Sequence, residues 1–353
     1  MTVQNPIKTM RAAILVELKN PLVVDTVQMP SEIGVGQVLV KILYTGICGT
    51  QIGEQQGVKG EDKFLPHLLG HEATAKVIAV GPGVKVVKPE DTVVLHWRKG
   101  EGIQADGPKY QWNGKALNAG WITTFSEYSI VSENRCTPVS PEVDLEASSL
   151  LGCAVSTGMG VITNNAKVKI GESVVVFGAG GVGFNVIEAA ALTSAYPIIA
   201  VDLFDEKLAL AKVFGATHCI NSRTQNAEQE IRKLLDKAGA DVVVDNTGNV
   251  EVIQLAYSLA RDVGRVILVG VPKKGDNISI YSLPLHFGKV LTGSFGGDSN
   301  PTQDIPRFLK LAALGKLKLR ELVTDRTNLD GINAAMEKMR AGQISGRCVV
   351  KMF

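Results

Sequence analysis

The sequence predicts an α/β protein in two parts, a doubly wound parallel sheet in its second half and a β-rich module before it. Two patterns and the length carry that reading. From about residue 151 onward, apolar strands at 173–177, 198–201, 241–245 and 264–269 alternate with helical patterns at 181–195, 205–214, 227–238 and 250–260. That alternation builds a parallel sheet with helices on both faces. From residue 10 to 95 the texture is different: short apolar runs at 12–18, 38–44, 73–80 and 92–95 are punctuated by Gly34, Gly36, Gly81, Pro82 and Gly83. This is the pattern of an all-β barrel or sandwich-like module. A chain of 353 residues also exceeds the usual size of a single hydrophobic core, so two domains are expected.

Composition narrows the classes. Hydrophobic residues make up 45% and charged residues 20%, with a formal net charge of only +2. A soluble globular protein is expected, with no electrostatic case for nucleic acid or a membrane surface as partner. Five cysteines (Cys48, Cys136, Cys153, Cys219, Cys348) are scattered and odd in number, which suits a reducing compartment and points to the cytoplasm. The first ten residues lack the basic and then apolar order of a signal peptide. Residues 174–195 are apolar enough to suggest a span, but they carry Glu188 and a glycine motif that accounts for them better. There is no solenoid-period repeat and no low-complexity tract.

The strand at 173–177 runs into Gly178-Ala179-Gly180-Gly181-Val182-Gly183, and the next strand ends on Asp202. Gly178, Gly180 and Gly183 fit a dinucleotide fingerprint: the first permits the turn, the second lets a pyrophosphate approach the backbone, and the third lets helix and strand pack closely. The helix that starts there, from Gly181 and Val182, offers unpaired N–H groups to phosphate. An acidic residue at the end of the second strand accepts hydrogen bonds from a ribose diol and repels a 2′-phosphate, so Asp202 favours NAD over NADP. The alternative is a glycine-tolerant turn in an ordinary α/β domain.

In the β-rich part, Gly46-Ile47-Cys48-Gly49-Thr50, Leu69-Gly70-His71-Glu72 and Leu151-Gly152-Cys153-Ala154 place two thiols, an imidazole and a carboxylate near turns. With the fingerprint, these segments are similar to the zinc-dependent medium-chain alcohol dehydrogenase family over essentially the whole chain. The resemblance implies a GroES-like catalytic domain formed by 1–154 and 295–353, and a Rossmann NAD-binding domain over 155–294, the two lying around a cleft. The segment Gly293-Ser294-Phe295-Gly296-Gly297 corresponds to the crossing back.

It implies further that Cys48, His71 and Cys153 bind one catalytic zinc per subunit, a donor set suited to a site with an open fourth place. Taken singly, each also reads as a buried thiol or a satisfied histidine. Glu72 would lie behind the ligands or exchange with one of them; a solvated carboxylate is the rival reading. Thr50 would hydrogen-bond the reacting oxygen and begin a proton relay, though a threonine in a turn also serves as a cap. Lys207 would touch the adenosine ribose, Val269 and Val271 would flank backbone groups presented to the nicotinamide, and Thr157 would pack on the nicotinamide face. Trp97, His96 and Phe125 fall near the alcohol pocket of relatives, and His67, with Pro66 beside it, reads as structural or surface.

The implied activity is hydride transfer between an alcohol, or its aldehyde or ketone, and NAD, by a homodimer or homotetramer acting on a small molecule. Other readings of the same scaffold are a zinc-free enone or quinone reductase, a non-catalytic NAD-binding protein, and a lyase-like or epimerising enzyme. The chain departs from the family pattern in three places. Gln51 stands where many members carry an acid that orients the metal-binding histidine, and its amide is expected to accept a hydrogen bond from that ring. Gly53 stands where some members have a histidine that ends the relay. Residues 97–122 hold none of the four cysteines that bind a second, structural zinc in many relatives.

Overall fold

The structure is a computed structural model that describes residues 2–353. It divides into two compact units, Met1–Cys153 with Asn300–Phe353, and Ala154–Ser299.

The first unit is built on the ten-residue strand Gln37–Gly46, whose alternate side chains enter two separate cores. It pairs antiparallel with Glu72–Val80, Tyr128–Ser132 and the C-terminal strand Arg347–Lys351. Thr92–His96 and Cys136–Val139 extend this sheet on one side and Val323–Asn328 on the other. A second sheet runs in the order Lys115–Leu117, Tyr110–Trp112, Val23–Gln28, Thr9–Leu15, His67–Leu68. Residues 97–122, whose role the sequence leaves open, therefore supply a hairpin to this sheet. Trp112 Nε1 donates to Asp25 (2.8 Å), and the buried Tyr110 hydroxyl accepts from Ile130 N (2.8 Å). The last strand lies against Gly46 because Val349 is its register partner there. Residues from 300 onward thus complete a sheet that the first half of the chain began.

The second unit is a six-stranded, wholly parallel sheet in the order His218–Asn221, Ile198–Asp202, Val174–Phe177, Ala240–Asp245, Ala260–Leu268, Val290–Gly293. Order reverses between Val174–Phe177 and Ala240–Asp245, and a crevice opens beyond the carboxyl ends of strands at such a point. The three central strands, Ile198–Asp202, Val174–Phe177 and Ala240–Asp245, are buried runs rich in valine and isoleucine, as a sheet covered on both faces requires. Helices Gly181–Leu192, Asp205–Phe214, Ala227–Leu234 and Val250–Leu259 connect them. The helix expected over 227–238 stops at Leu234, because Leu235 is extended and Gly239 takes a positive φ.

The unit boundaries differ from the sequence reading at both crossings. Ala154 opens the helix Ala154–Gly160 and belongs with the parallel sheet. Residues 295–299 do too: Gly297 N donates to Ser294 Oγ, and Asn164 Nδ2 donates to Gly297 O. Among the described residues no single helix is long and apolar enough to cross a membrane.

Candidate metal centre and nucleotide loop

Cys48 leaves the end of Gln37–Gly46 and caps the helix Gly49–Gln55, a short helix where the sequence suggests only a turn. His71 precedes the strand Glu72–Val80, whose register, with Ala73 opposite Thr45, sets it beside Cys48. Cys153 ends the helical turn Ser149–Gly152. Gly152 makes that approach possible, since a Cβ there would lie 2.1 Å from Leu95 O. The Cys48 and Cys153 sulfurs and a His71 ring nitrogen all lie within 4.8 Å of one another. Both thiols are buried. His71 Nδ1 meets Gln51, whereas Nε2 is buried with no hydrogen-bond partner. Two sulfurs and one orphaned imidazole nitrogen fit zinc in a catalytic site, which takes three protein donors and leaves a fourth place open. This is the one such cluster of three among the described residues.

The electrostatics suit a cation. A hydrogen bond from Cys153 holds the Cys48 thiol well below its ordinary range, against the cost of burial and with help from Arg347 and His71. Burial alone would depress His71, but the neighbouring Cys48 raises it. Arg347, which nothing in its local sequence marks out, is buried, donates to Ile47 O (2.8 Å) and stands 3.8 Å from Glu72 Oε1. Glu72 is fully buried and faces Arg347 rather than joining the three donors. Thr50, in the first turn of the helix, has its Oγ1 3.7 Å from Cys48 Sγ.

One expectation near this group is corrected. Gln51 does not accept from the ring: its Oε1 takes the Cys48 N–H (2.8 Å), which turns Nε2 toward His71 Nδ1 at 2.5 Å. His96 and Phe125, expected near the alcohol pocket, are both buried. Phe125 is in the core, and buried His96 is engaged at both nitrogens, by Arg98 O and Thr137 Oγ1 (2.8 and 2.9 Å), while desolvation lowers it to about 4. Trp97 is half-buried, with the Arg98 guanidinium 5.9 Å from its ring. A surface cavity of about 730 Å³ is lined by Phe64, His67 and Trp121, but none of the three donors borders it. His67 is held there by Asp62 (3.0 Å).

In the second unit the predicted nucleotide residues gather at the carboxyl ends of the strands. Gly178 has φ +86°, Gly180 caps the helix that Gly181, Val182 and Gly183 begin, and a Cβ on Gly183 would sit 2.0 Å from Gly178 O. That last approach is why the helix packs so closely on its turn. Asp202 ends its strand and also ties the turn down: Oδ2 accepts from Ala179 N (2.8 Å), and Oδ1 from Leu203 N (2.7 Å) and Phe204 N (3.2 Å). Lys207 and Arg223 both stand over the Phe204 ring, at 5.0 and 4.9 Å, so two cations flank the Asp202 strand end. Val269 N donates to the backbone of Asp245, and Val271 is exposed. Sequence reasoning missed Asp245, although its place at the end of a valine strand was a signal. Its buried carboxylate, raised by desolvation, accepts from Thr247 N, Thr247 Oγ1 and Gly248 N. Thr157 is buried in the helix Ala154–Gly160.

Comparison with known proteins agrees with both halves. Residues 34–141 match the alcohol dehydrogenase GroES-like domain, and 181–313 match the zinc-binding dehydrogenase family. The S-(hydroxymethyl)glutathione dehydrogenase of Paracoccus denitrificans is 33% identical, over 94% of this chain and 97% of that protein. The enzyme of the same name from Photobacterium damsela subsp. piscicida is 36% identical over 87% and 90%. Benzyl alcohol dehydrogenase from Acinetobacter calcoaceticus superposes with a TM-score of 0.86 at 27% identity, covering 98% of this chain and 100% of that one. An alcohol dehydrogenase zinc-binding domain protein from Burkholderia ambifaria gives 0.89 at 28% identity, over 98% and 99%.

The fold is therefore that of a medium-chain dehydrogenase, a GroES-like unit joined to a Rossmann unit. The chain belongs to the zinc-dependent alcohol dehydrogenase family, and is an NAD-dependent zinc oxidoreductase acting on alcohols.

Proposed function

We propose that the enzyme interconverts primary alcohols and their aldehydes, with Cys48, His71 and Cys153 as the zinc ligands. The observation that carries the metal assignment is the convergence of the three donors with His71 Nε2 unpartnered. The substrate class is drawn from relatives: S-(hydroxymethyl)glutathione and benzyl alcohol, the compounds in their names, each carry a CH2OH group. When bound, zinc supplies Lewis acidity toward the alcohol oxygen and NAD supplies the hydride acceptor. Thr50 Oγ1 takes the hydroxyl proton and passes it on. Arg347 balances the negative charge of Cys48 and Glu72. Asp202 accepts from the ribose hydroxyls, Lys207 reaches the same sugar, and the Gly180–Gly183 turn receives the pyrophosphate on its N–H groups. Val269, Val271 and Thr157 lie along the nicotinamide end. The retained donor set disfavours a zinc-free reductase.

The test is zinc content per chain on protein purified without added metal, with absorbance of reduced nicotinamide followed over primary, aromatic and polyol alcohols. Zinc near one per chain with turnover of primary alcohols is expected. Turnover confined to secondary polyols would overturn the substrate class, and NAD binding without zinc or turnover would overturn the metal assignment.

The same reading includes a homodimer. Val290–Gly293 is an edge strand, and Tyr281, Leu283, Phe287 and Val290 around it are all exposed. An unpaired apolar edge invites strand addition, and a two-fold axis would set two copies of it antiparallel. Light scattering should give twice the 37.6 kDa chain mass, and Val290→Lys should halve it. A monomeric wild type would refute this interface.

A further inference from the structure

Gln51 sits in a hydrogen-bond conflict that follows from the orientation of its amide. Its side chain is buried, with one acceptor oxygen and one donor NH2. A backbone N–H can only donate, so the 2.8 Å contact from Cys48 N fixes which end of the amide is oxygen. The NH2 then faces His71 Nδ1 at 2.5 Å. Nε2 is the ring nitrogen left without a partner, and an imidazole that ligates through Nε2 keeps its proton on Nδ1 and donates it outward. Two donors, Cys48 N–H and His71 Nδ1–H, thus converge on an amide whose oxygen is directed at the first and whose NH2 is directed at the second. Turning the amide over only moves the mismatch from the ring to the Cys48 backbone. A carboxylate of the same shape would accept from both.

We propose that Gln51 is a positioning residue that makes the zinc of this enzyme readily exchangeable, because its amide opposes the outward N–H of ligated His71. The inference rests on the assignment of His71, Cys48 and Cys153 as ligands. Outer partners of ligating histidines commonly change metal affinity by 10–100-fold. Gln51→Glu keeps side-chain length and the acceptor toward Cys48 N–H, and adds the acceptor that the ring lacks.

The experiment follows zinc released from purified, zinc-loaded wild type and Gln51→Glu to an excess of a chromophoric chelator. Wild type is expected to release zinc about 10–100-fold faster than the variant. Equal rates, or slower release from wild type, overturn the proposal. Ring nitrogen and proton spectra of 15N-histidine-labelled, zinc-loaded wild type give a second readout that needs no variant. A His71 Nδ1–H signal without the downfield shift of a strong hydrogen bond supports the conflict, and a strongly hydrogen-bonded one overturns it. Wild type that carries no zinc sinks the ligand assignment itself. One zinc per chain, released no faster than from Gln51→Glu, sinks this inference alone.

Discussion

Glu133 is where the anchoring of the 97–122 lobe is most open to test. This buried carboxylate accepts three backbone N–H groups: Lys85 (2.5 Å) and Val86 (2.8 Å) on Oε1, and Ile103 (2.6 Å) on Oε2. It therefore holds the start of the 97–122 lobe against the loop after Glu72–Val80, and neighbouring contacts tighten the same joint. Ser132 Oγ accepts from Ala105 N, Asn134 N donates to Ile103 O, and Gly100 N donates to Asn134 O. Hydrogen bonds to a charged group contribute about 1.5–3 kcal/mol each, and a stranded buried donor costs about 1–3 kcal/mol. Glu133→Ala strands three donors, and with partial relaxation and water entry we expect a loss of about 3–6 kcal/mol from the first unit, a large share of ordinary net stability. Glu133→Gln keeps one oxygen but turns an NH2 toward one of the N–H groups, and should cost about 1–3 kcal/mol. The assay is local to this unit, because all three tryptophans, Trp97, Trp112 and Trp121, lie within it. Urea unfolding followed by tryptophan fluorescence should show midpoints in the order wild type, Gln, Ala. An Ala variant that unfolds at the wild-type midpoint would show that the joint does not depend on this carboxylate.

Replacing Cys48 by Ser should abolish turnover and lower zinc content while NAD affinity measured by calorimetry stays normal; loss of NAD binding in a folded variant would contradict the separation of the two sites. Asp202→Gly should lower the NAD to NADP preference by about 10–100-fold, the equivalent of about 1.5–3 kcal/mol in charged hydrogen bonds. Because Asp202 also restrains Ala179 N, affinity for both cofactors should fall, so the ratio is the decisive quantity and an unchanged ratio rejects Asp202 as the ribose reader. Gly183→Ala forces a Cβ against Gly178 O, an overpacking cost of about 1–3 kcal/mol that should appear as weakened NAD binding with zinc content unchanged. Wild-type NAD affinity in that variant would mean the turn yields more easily than its geometry indicates.

What was legible in the sequence was local or periodic. The Gly178–Gly183 turn with Asp202 at the next strand end is a short-range device, fixed by backbone conformation and close approach, so residue types at set spacings reveal it. Strand and helix alternation follows from hydrophobic period, and it located the strands of the second unit to within a few residues. The strands at His218–Asn221 and Val290–Gly293 escaped notice: one is short and only partly buried, the other is an exposed edge. Cys48, His71 and Cys153 could be named from their turns only through resemblance. Their meeting depends on the pairing of Gln37–Gly46 with Glu72–Val80 and on the fold of the turn before Cys153.

Tertiary structure alone decided the remainder, because hydrogen-bond roles and charge environments belong to pairs of residues distant in the chain. Arg347 gains its role only when the last strand pairs with Gly46 and buries the guanidinium beside Glu72. Glu133 gains its role only when the loops at 85–86 and 103 bring their N–H groups to it. Gln51 reads as an acceptor for the ring until the Cys48 N–H claims its only oxygen. A sequence lists donors and acceptors, but only the folded chain brings them face to face, and a buried polar group must take whichever partner geometry supplies.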